Sequence, residues 1–400
     1  MRVPLHGELP APQRATWALA AKGFRPFFLL AAAFAVAVVP VWLLVVAGSI
    51  GPGGYLGATD WHAHEMVFGF ATAVLAGFLL TAVGNWTQRE TLVGAPLLGL
   101  AGLWLAGRVA IPFADALPRG VAAVVDLAFL PALIAVLARP LAAAKNRRNF
   151  VMVAVLGALF LANLAVHLDA LGVIAGWRRR GSLVAVDVLV LVILIIAGRV
   201  FPMFTRNATG DESVRSHQAL DVAAVGAAAL LALIDAATLA VQPAAIVAGV
   251  AGALAAARAV HWLTLRAARL PLVWVLHVGY AWIPVGLLLR AASAFGGAVP
   301  PSAATHALTV GAIGTLTLGM MARVTLGHTG RLLVPPRSAV AAFALMGVAA
   351  IARVAALLVS PSYYRAWVTV AGALWSAAFA LYLVAFAPAL VSPRADGKGG

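Results

Sequence analysis

The chain of 400 residues contains no cysteine. That excludes disulfides, thiolate metal sites, iron–sulfur clusters and thioether-linked haem. A metal in this protein must be held by histidine, carboxylate or methionine. Charge is also scarce: 10% of residues are Asp, Glu, Lys or Arg, against roughly 25% in soluble domains. Acidic residues are scarcer still, 13 against 28 basic ones, which gives a formal net charge of +15. No basic stretch is interleaved with aromatics, so the surplus does not describe a nucleic-acid surface. What the chain has instead is apolar residue, 63% of the total, with a mean hydropathy of +1.00. That composition excludes disorder. Long unbroken apolar runs exclude a transmembrane barrel, whose strands alternate. The fold class is therefore all-α: a polytopic membrane protein, a bundle of about twelve transmembrane helices.

Apolar runs of about 20 residues, the length that crosses a bilayer, fall at 27–48, 64–84, 92–111, 121–138, 150–170, 182–201, 219–240, 243–264, 271–294, 302–326, 338–359 and 366–389. Turn residues or charge separate them, as at Gly51-Pro52-Gly53-Gly54, Arg178-Arg179-Arg180 and Pro335-Pro336. This divides the chain into an N-terminal segment 1–26, one membrane domain 27–389 and a polar tail 390–400, whose end is expected to be disordered. No loop is long enough to hold a soluble domain, so any chemistry belongs inside the bundle or at its ends. Twelve crossings put both termini on one side, and most of the 28 lysines and arginines fall there. The positive-inside rule makes that side the cytoplasm, with the Arg178–Arg180 run as the exception.

Polar residues inside spans are costly and so are functional candidates. Histidines dominate them. Trp61-His62-Ala63-His64-Glu65-Met66 opens the second span. His62 and His64 are two apart and diverge by about 200° on a helix, so both reach one centre only if the first turn is irregular. Glu65 follows, a carboxylate suited to orienting an imidazole or carrying protons. Asn163 and His167 lie one turn apart in the fifth span, and His306 opens the tenth. His277 lies in the ninth span with Tyr280 one turn on. His328 follows the tenth, flanked by Arg323 and Arg331, arginines of the kind that hold haem propionates or another anion. By depth, His62, His64, His167 and His306 form an outer group able to support a haem, a copper or both, and His277 and His328 an inner pair. Each histidine also has a plainer reading, a hydrogen bond between helices. Gly311, Gly314 and Gly319 read as helix-packing positions. Asp126 and Asp187 read either as a proton path or, preferably, as partners of arginines. His6, His217 and His261 carry no such signal.

The pieces Gly23-Phe24-Arg25-Pro26-Phe27-Phe28, Trp61-His62-Ala63-His64-Glu65-Met66-Val67-Phe68-Gly69-Phe70, Asn163 with His167, Gly198-Arg199-Val200-Phe201-Pro202, and the run from His306 to Arg331 resemble the NnrS family of bacterial membrane proteins. The resemblance implies twelve helices in the cytoplasmic membrane, haem b and copper as cofactors, and an association with nitric oxide, through denitrification or protection from nitrosative stress. It marks His62, His64, His167, His277, His306 and His328 as motif positions for metal. His62, His64, His167, His306, Arg323 and Arg331 would then surround haem, and Glu65 would deliver protons. Three readings follow: an oxidoreductase that reduces nitric oxide with an electron donor, a non-enzymatic nitric oxide sink or sensor, and a haem-free twelve-helix transporter.

Overall fold

The computed structural model describes residues 18–51, 53–237, 240–296, 299–359 and 361–398. The N-terminal stretch 1–17, with His6, and the last two residues lie outside the described set. Twelve long helices make the bundle: α1 Phe24–Val46, α2 Ala58–Thr87, α3 Gly94–Ala110, α4 Val121–Ala143, α5 Val151–Ala170, α6 Trp177–Thr209, α7 Gln218–Ala237, α8 Val241–Val260, α9 Pro271–Gly296, α10 Pro301–His328, α11 Arg337–Val359 and α12 Tyr364–Val391. No strand occurs among the described residues. Eleven of these helices are long and apolar enough to cross a bilayer, and α3 is a shorter apolar helix. In a bilayer every backbone group must be bonded within its own segment, which is why the apolar runs form helices.

The helices stop where the sequence says they must. Pro301 takes the first position of α10, where its missing N–H costs nothing. Gly210 closes α6 at φ 65°, a conformation that favours glycine. Neighbours in sequence are mostly neighbours in space, and α12 packs along α1 to close the bundle. The Ala18 N–H donates to the Val391 carbonyl (2.8 Å), so the two described ends meet at one end of the bundle, here called proximal. The polar tail is anchored there too. Ala395 N–H donates to Thr329 O, and Arg394 donates to His328 O.

The two most buried spans are α2 and α10. Both change winding in their distal halves. Residues Glu65–Ala71 of α2 and Ala307–Gly314 of α10 form π-helical segments, each starting immediately after a histidine. Such segments are uncommon and gather at functional sites. The glycines of α10 serve packing: a Cβ at Gly311 would lie 2.5 Å from the Trp282 ring, one at Gly314 2.5 Å from Trp375, and one at Gly319 2.8 Å from Val275.

The arginine run 178–180 lies in the first turn of α6 rather than in a loop. Arg178 pairs with Asp169 (2.8 Å), and Arg180 donates to the carbonyls of Asp235 and Ala236 at the C-terminus of α7. A cation there meets the negative end of the helix dipole, which is why the run sits on the side that charge bias disfavours.

Candidate functional site

Helix α2 carries its histidines on different faces, and each face builds a different site. His64 looks toward α3, α4 and α5. Its Nδ1 meets Glu65 Oε1 at 3.0 Å and its Nε2 meets Asn163 Oδ1 at 3.0 Å. Asn163 Nδ2 donates to Asp126 Oδ2 (2.7 Å), which fixes the amide so that its oxygen faces His64. Both ring nitrogens of His64 therefore face side-chain oxygens. Arg108 donates to Glu65 Oε2 (2.7 Å) and to Asp126 Oδ1. His167 Nε2 donates to Asp126 Oδ2 (2.9 Å), and its Nδ1 accepts from the Tyr55 hydroxyl (2.8 Å). The two carboxylates share Arg108 as their cation, and His64, His167 and Asn163 complete their hydrogen bonds inside the buried cluster. Buried charges are tolerated only when paired and hydrogen-bonded in this way. Glycines make room for it: a Cβ at Gly107 would lie 2.9 Å from Asp126 Oδ1, and one at Gly69 2.9 Å from Arg108 Nη1.

One ligand atom from each of His64, Asp126 and His167 lies within 4.8 Å of the others. Two imidazoles and a carboxylate are a transition-metal donor set. A cation there displaces any proton on the ring nitrogens it takes, since metal binding releases the protons of its ligands.

His62 looks the other way, into a cavity of about 370 Å³ bounded by α1, α2, α6, α10, α11 and α12. Its ring stacks on Trp42, centroids 4.5 Å apart and planes 12° from parallel. Its Nδ1 is buried with no partner. His306 faces the same cavity. Its Nδ1 donates to the Ser302 carbonyl (2.6 Å), which leaves Nε2 as the ring's lone pair. Arg353 and Trp375 also line the cavity, and Arg353 Nη1 and Trp375 Nε1 are further buried donors without partners. Arg179 and Asp60 are its other charged residues, and Thr59, Ser182, Ser302, Thr305 and Thr309 add hydroxyls to the wall. A mostly apolar cavity of this size with a few convergent polar groups is the usual form of a cofactor site.

The outer group of four imidazoles is thus split in two by α2, His64 with His167 and His62 with His306. Glu65 does not line the cavity: it is held by His64 and Arg108 on the opposite face, and the carboxylate that does line it is Asp60. Arg323 and Arg331 lie elsewhere. Arg323 sits over the Phe204 ring (3.8 Å), and Arg331 donates to Thr329 O. About 17 residues of helix separate Arg323 from His306, roughly 25 Å, so the cavity takes its arginines from α6 and α11 instead. The inner pair is not joined by any contact among the described residues: His277 bonds Thr205 Oγ1 (3.0 Å), while His328 lies against Phe24. Tyr280 turns from His277 to Phe201 and Trp262. Asp187 pairs with Arg290 (3.0 Å), as Asp126 does with Arg108.

Several residues carried no signal in sequence. Arg108 and Arg353 were not among the candidates, although an arginine within a span is itself a pointer to a buried partner. His217 and His261, from two loops, bring their rings to 3.9 Å; nothing in their spacing shows this.

A buried ionic cluster and a histidine-lined cavity on two faces of one helix define a polytopic membrane protein with an intramembrane site. Residues 18–394 match the NnrS protein family over nearly the whole chain. The chain belongs to the NnrS family. A search of curated proteins found no match.

Proposed function

We propose that this protein binds or transforms nitric oxide at a haem held in the His62/His306 cavity, with copper at His64, Asp126 and His167, in the bacterial cytoplasmic membrane with both termini inside. The observation that carries the reading is His306. Its Nδ1–H is committed to a carbonyl, so its free nitrogen is the one a haem iron takes, and it shares the cavity with an unpartnered His62. A fixed tautomer of this kind is what a ligand histidine needs. Arg353 and Arg179 supply positive charge for propionates. When bound, haem supplies an iron that takes up nitric oxide and changes redox state. The chain orients the ring nitrogens, excludes water with Trp42 and Trp375, and keeps its proton-holding cluster behind α2.

The test is an optical spectrum of the purified protein, oxidised and dithionite-reduced, before and after nitric oxide, with metal analysis on the same sample. The expected result is a b-type haem spectrum that shifts with nitric oxide and changes in His62→Ala and His306→Ala. His64→Ala should leave that spectrum and lower copper content. Consumption of nitric oxide with an electron donor makes the protein a reductase; stoichiometric uptake makes it a sink. No haem in protein expressed with ample haem refutes the reading and returns the cavity to the transporter class.

A further inference from the structure

A second, smaller cavity lies directly beneath the first. The two share Ala71, Leu189 and Ile313 in their walls, so these side chains are what stands between them. The lower part is lined by Phe28, Val74, Phe78, Ile193 and Ile196 among other apolar side chains. Thr317 is its one hydroxyl, and that hydroxyl donates to the Gly314 carbonyl of its own helix. No charged group faces it. A water needs two to four polar partners to be held, so this space is dry. Its volume is about 100 Å³, below the roughly 300 Å³ of ordinary ligand sites. It is room for a molecule of two or three atoms.

Its position follows from how α2 and α6 pack. The two helices touch through residues 58–71 at the distal end and stand apart below. Val74, Phe78, Ile193 and Ile196 line that gap, and Phe78, Ile193 and Ile196 are only half-buried. Ala71 and Phe78 fall near the middle of the 30-residue α2, which is the middle of the hydrocarbon layer. Small uncharged solutes concentrate there, because transfer out of water is favourable for apolar surface.

We propose that the gap between α2 and α6 is a lateral passage through which a small uncharged molecule moves from the bilayer core to the His62/His306 cavity. Ions and water are refused by the absence of any polar partner. The narrow point is the shared wall of Ala71, Leu189 and Ile313, where alanine's small side chain keeps the partition thin. What the molecule meets at the top rests on the reading given under Proposed function; the passage itself does not.

Xenon probes it without haem. In crystals of the full chain under xenon pressure, density is expected between Phe78 and Ile196, since apolar cavities of this kind take up xenon. The second measurement is the rate at which nitric oxide binds the reduced protein in lipid nanodiscs. Ala71→Leu at the narrow point and Ile193→Trp at the half-buried rim should each slow binding about tenfold or more, with the haem spectrum unchanged in Ile193→Trp, whose side chain does not line the upper cavity. The rim variant keeps the test sound if the buried one fails to fold. No xenon in the gap overturns the passage, and so do unchanged rates in both variants. Xenon bound there in a protein that holds no haem supports the passage and overturns only the haem reading.

Discussion

Replacing Arg108 by methionine tests the charge balance of the buried cluster. The guanidinium donates to both Glu65 and Asp126, and all three side chains are almost fully buried. Methionine fills similar volume but leaves two buried carboxylates without their cation. Removing one partner of a buried ion pair costs about 3–5 kcal/mol, most of it the penalty of the charge left behind. The remedy is to remove the carboxylate charges as well. The triple variant Glu65→Gln, Arg108→Met, Asp126→Asn strands no ion and loses a few hydrogen bonds at about 0.5–1.5 kcal/mol each, and Gln and Asn retain part of those. It should therefore be more stable than the single variant by about 2 kcal/mol. Denaturant unfolding in detergent, followed by the fluorescence of the 11 tryptophans, measures both. A single variant within about 0.5 kcal/mol of the parent, or a triple variant weaker than the single, refutes the ion-pairing argument.

Arg290→Met should be costly for the same reason, because Arg290 pairs with Asp187 and with Asp235; thermal unfolding should show a loss of several kcal/mol, most of it restored by adding Asp187→Asn and Asp235→Asn. Gly314→Leu must push Trp375 out of the cavity wall, since even a Cβ would lie 2.5 Å from its ring; about 1–3 kcal/mol of overpacking and a shifted tryptophan emission are expected. In the loop after α6, hydrogen bonds from Ser213 and Thr264 hold the Asp211 carboxyl down at about 2. A depressed carboxylate contributes fully above its unfolded value near 4 and loses that contribution as pH falls through about 2. Amide exchange at Ser213, corrected for its intrinsic rate, should therefore be slow at pH 5 and faster at pH 2, and Thr264→Val should move the change to higher pH.

All twelve helices were legible as apolar runs, because a bilayer leaves the backbone few alternatives. Their ends were less so. Helix α2 begins at Ala58 rather than 64, and α6 at Trp177 rather than 182. Those first turns hold Asp60, His62 and the arginine run, which hydropathy counts as loop. They are helical because cavity walls and neighbouring helix ends receive their polar groups. The angular divergence of His62 and His64 was readable from their spacing, and the structure places them on separate faces. The pairing of Asp126 and Asp187 with arginines was readable as well. What could not be read was which arginines: Arg108 reaches carboxylates on the two helices that adjoin α3 in sequence, Arg353 faces a cavity it shares with α2, and only packing reveals either. Nothing in Glu65–Ala71 or Ala307–Gly314 announces a π turn.

Those two segments have a consequence for how the protein tolerates change. A π turn holds one residue more than an α turn, so everything distal to it is rotated by about 100° relative to an uninterrupted helix. Which histidine of α2 faces the cavity is therefore set by a residue count, not by residue identity. Substitutions within either segment adjust the walls. Loss of a single residue from either one would wind it back to an α-helix and turn the histidine end as a unit, carrying His62 or His306 off its face while every side chain remained present. Length, more than composition, is the quantity these segments hold constant.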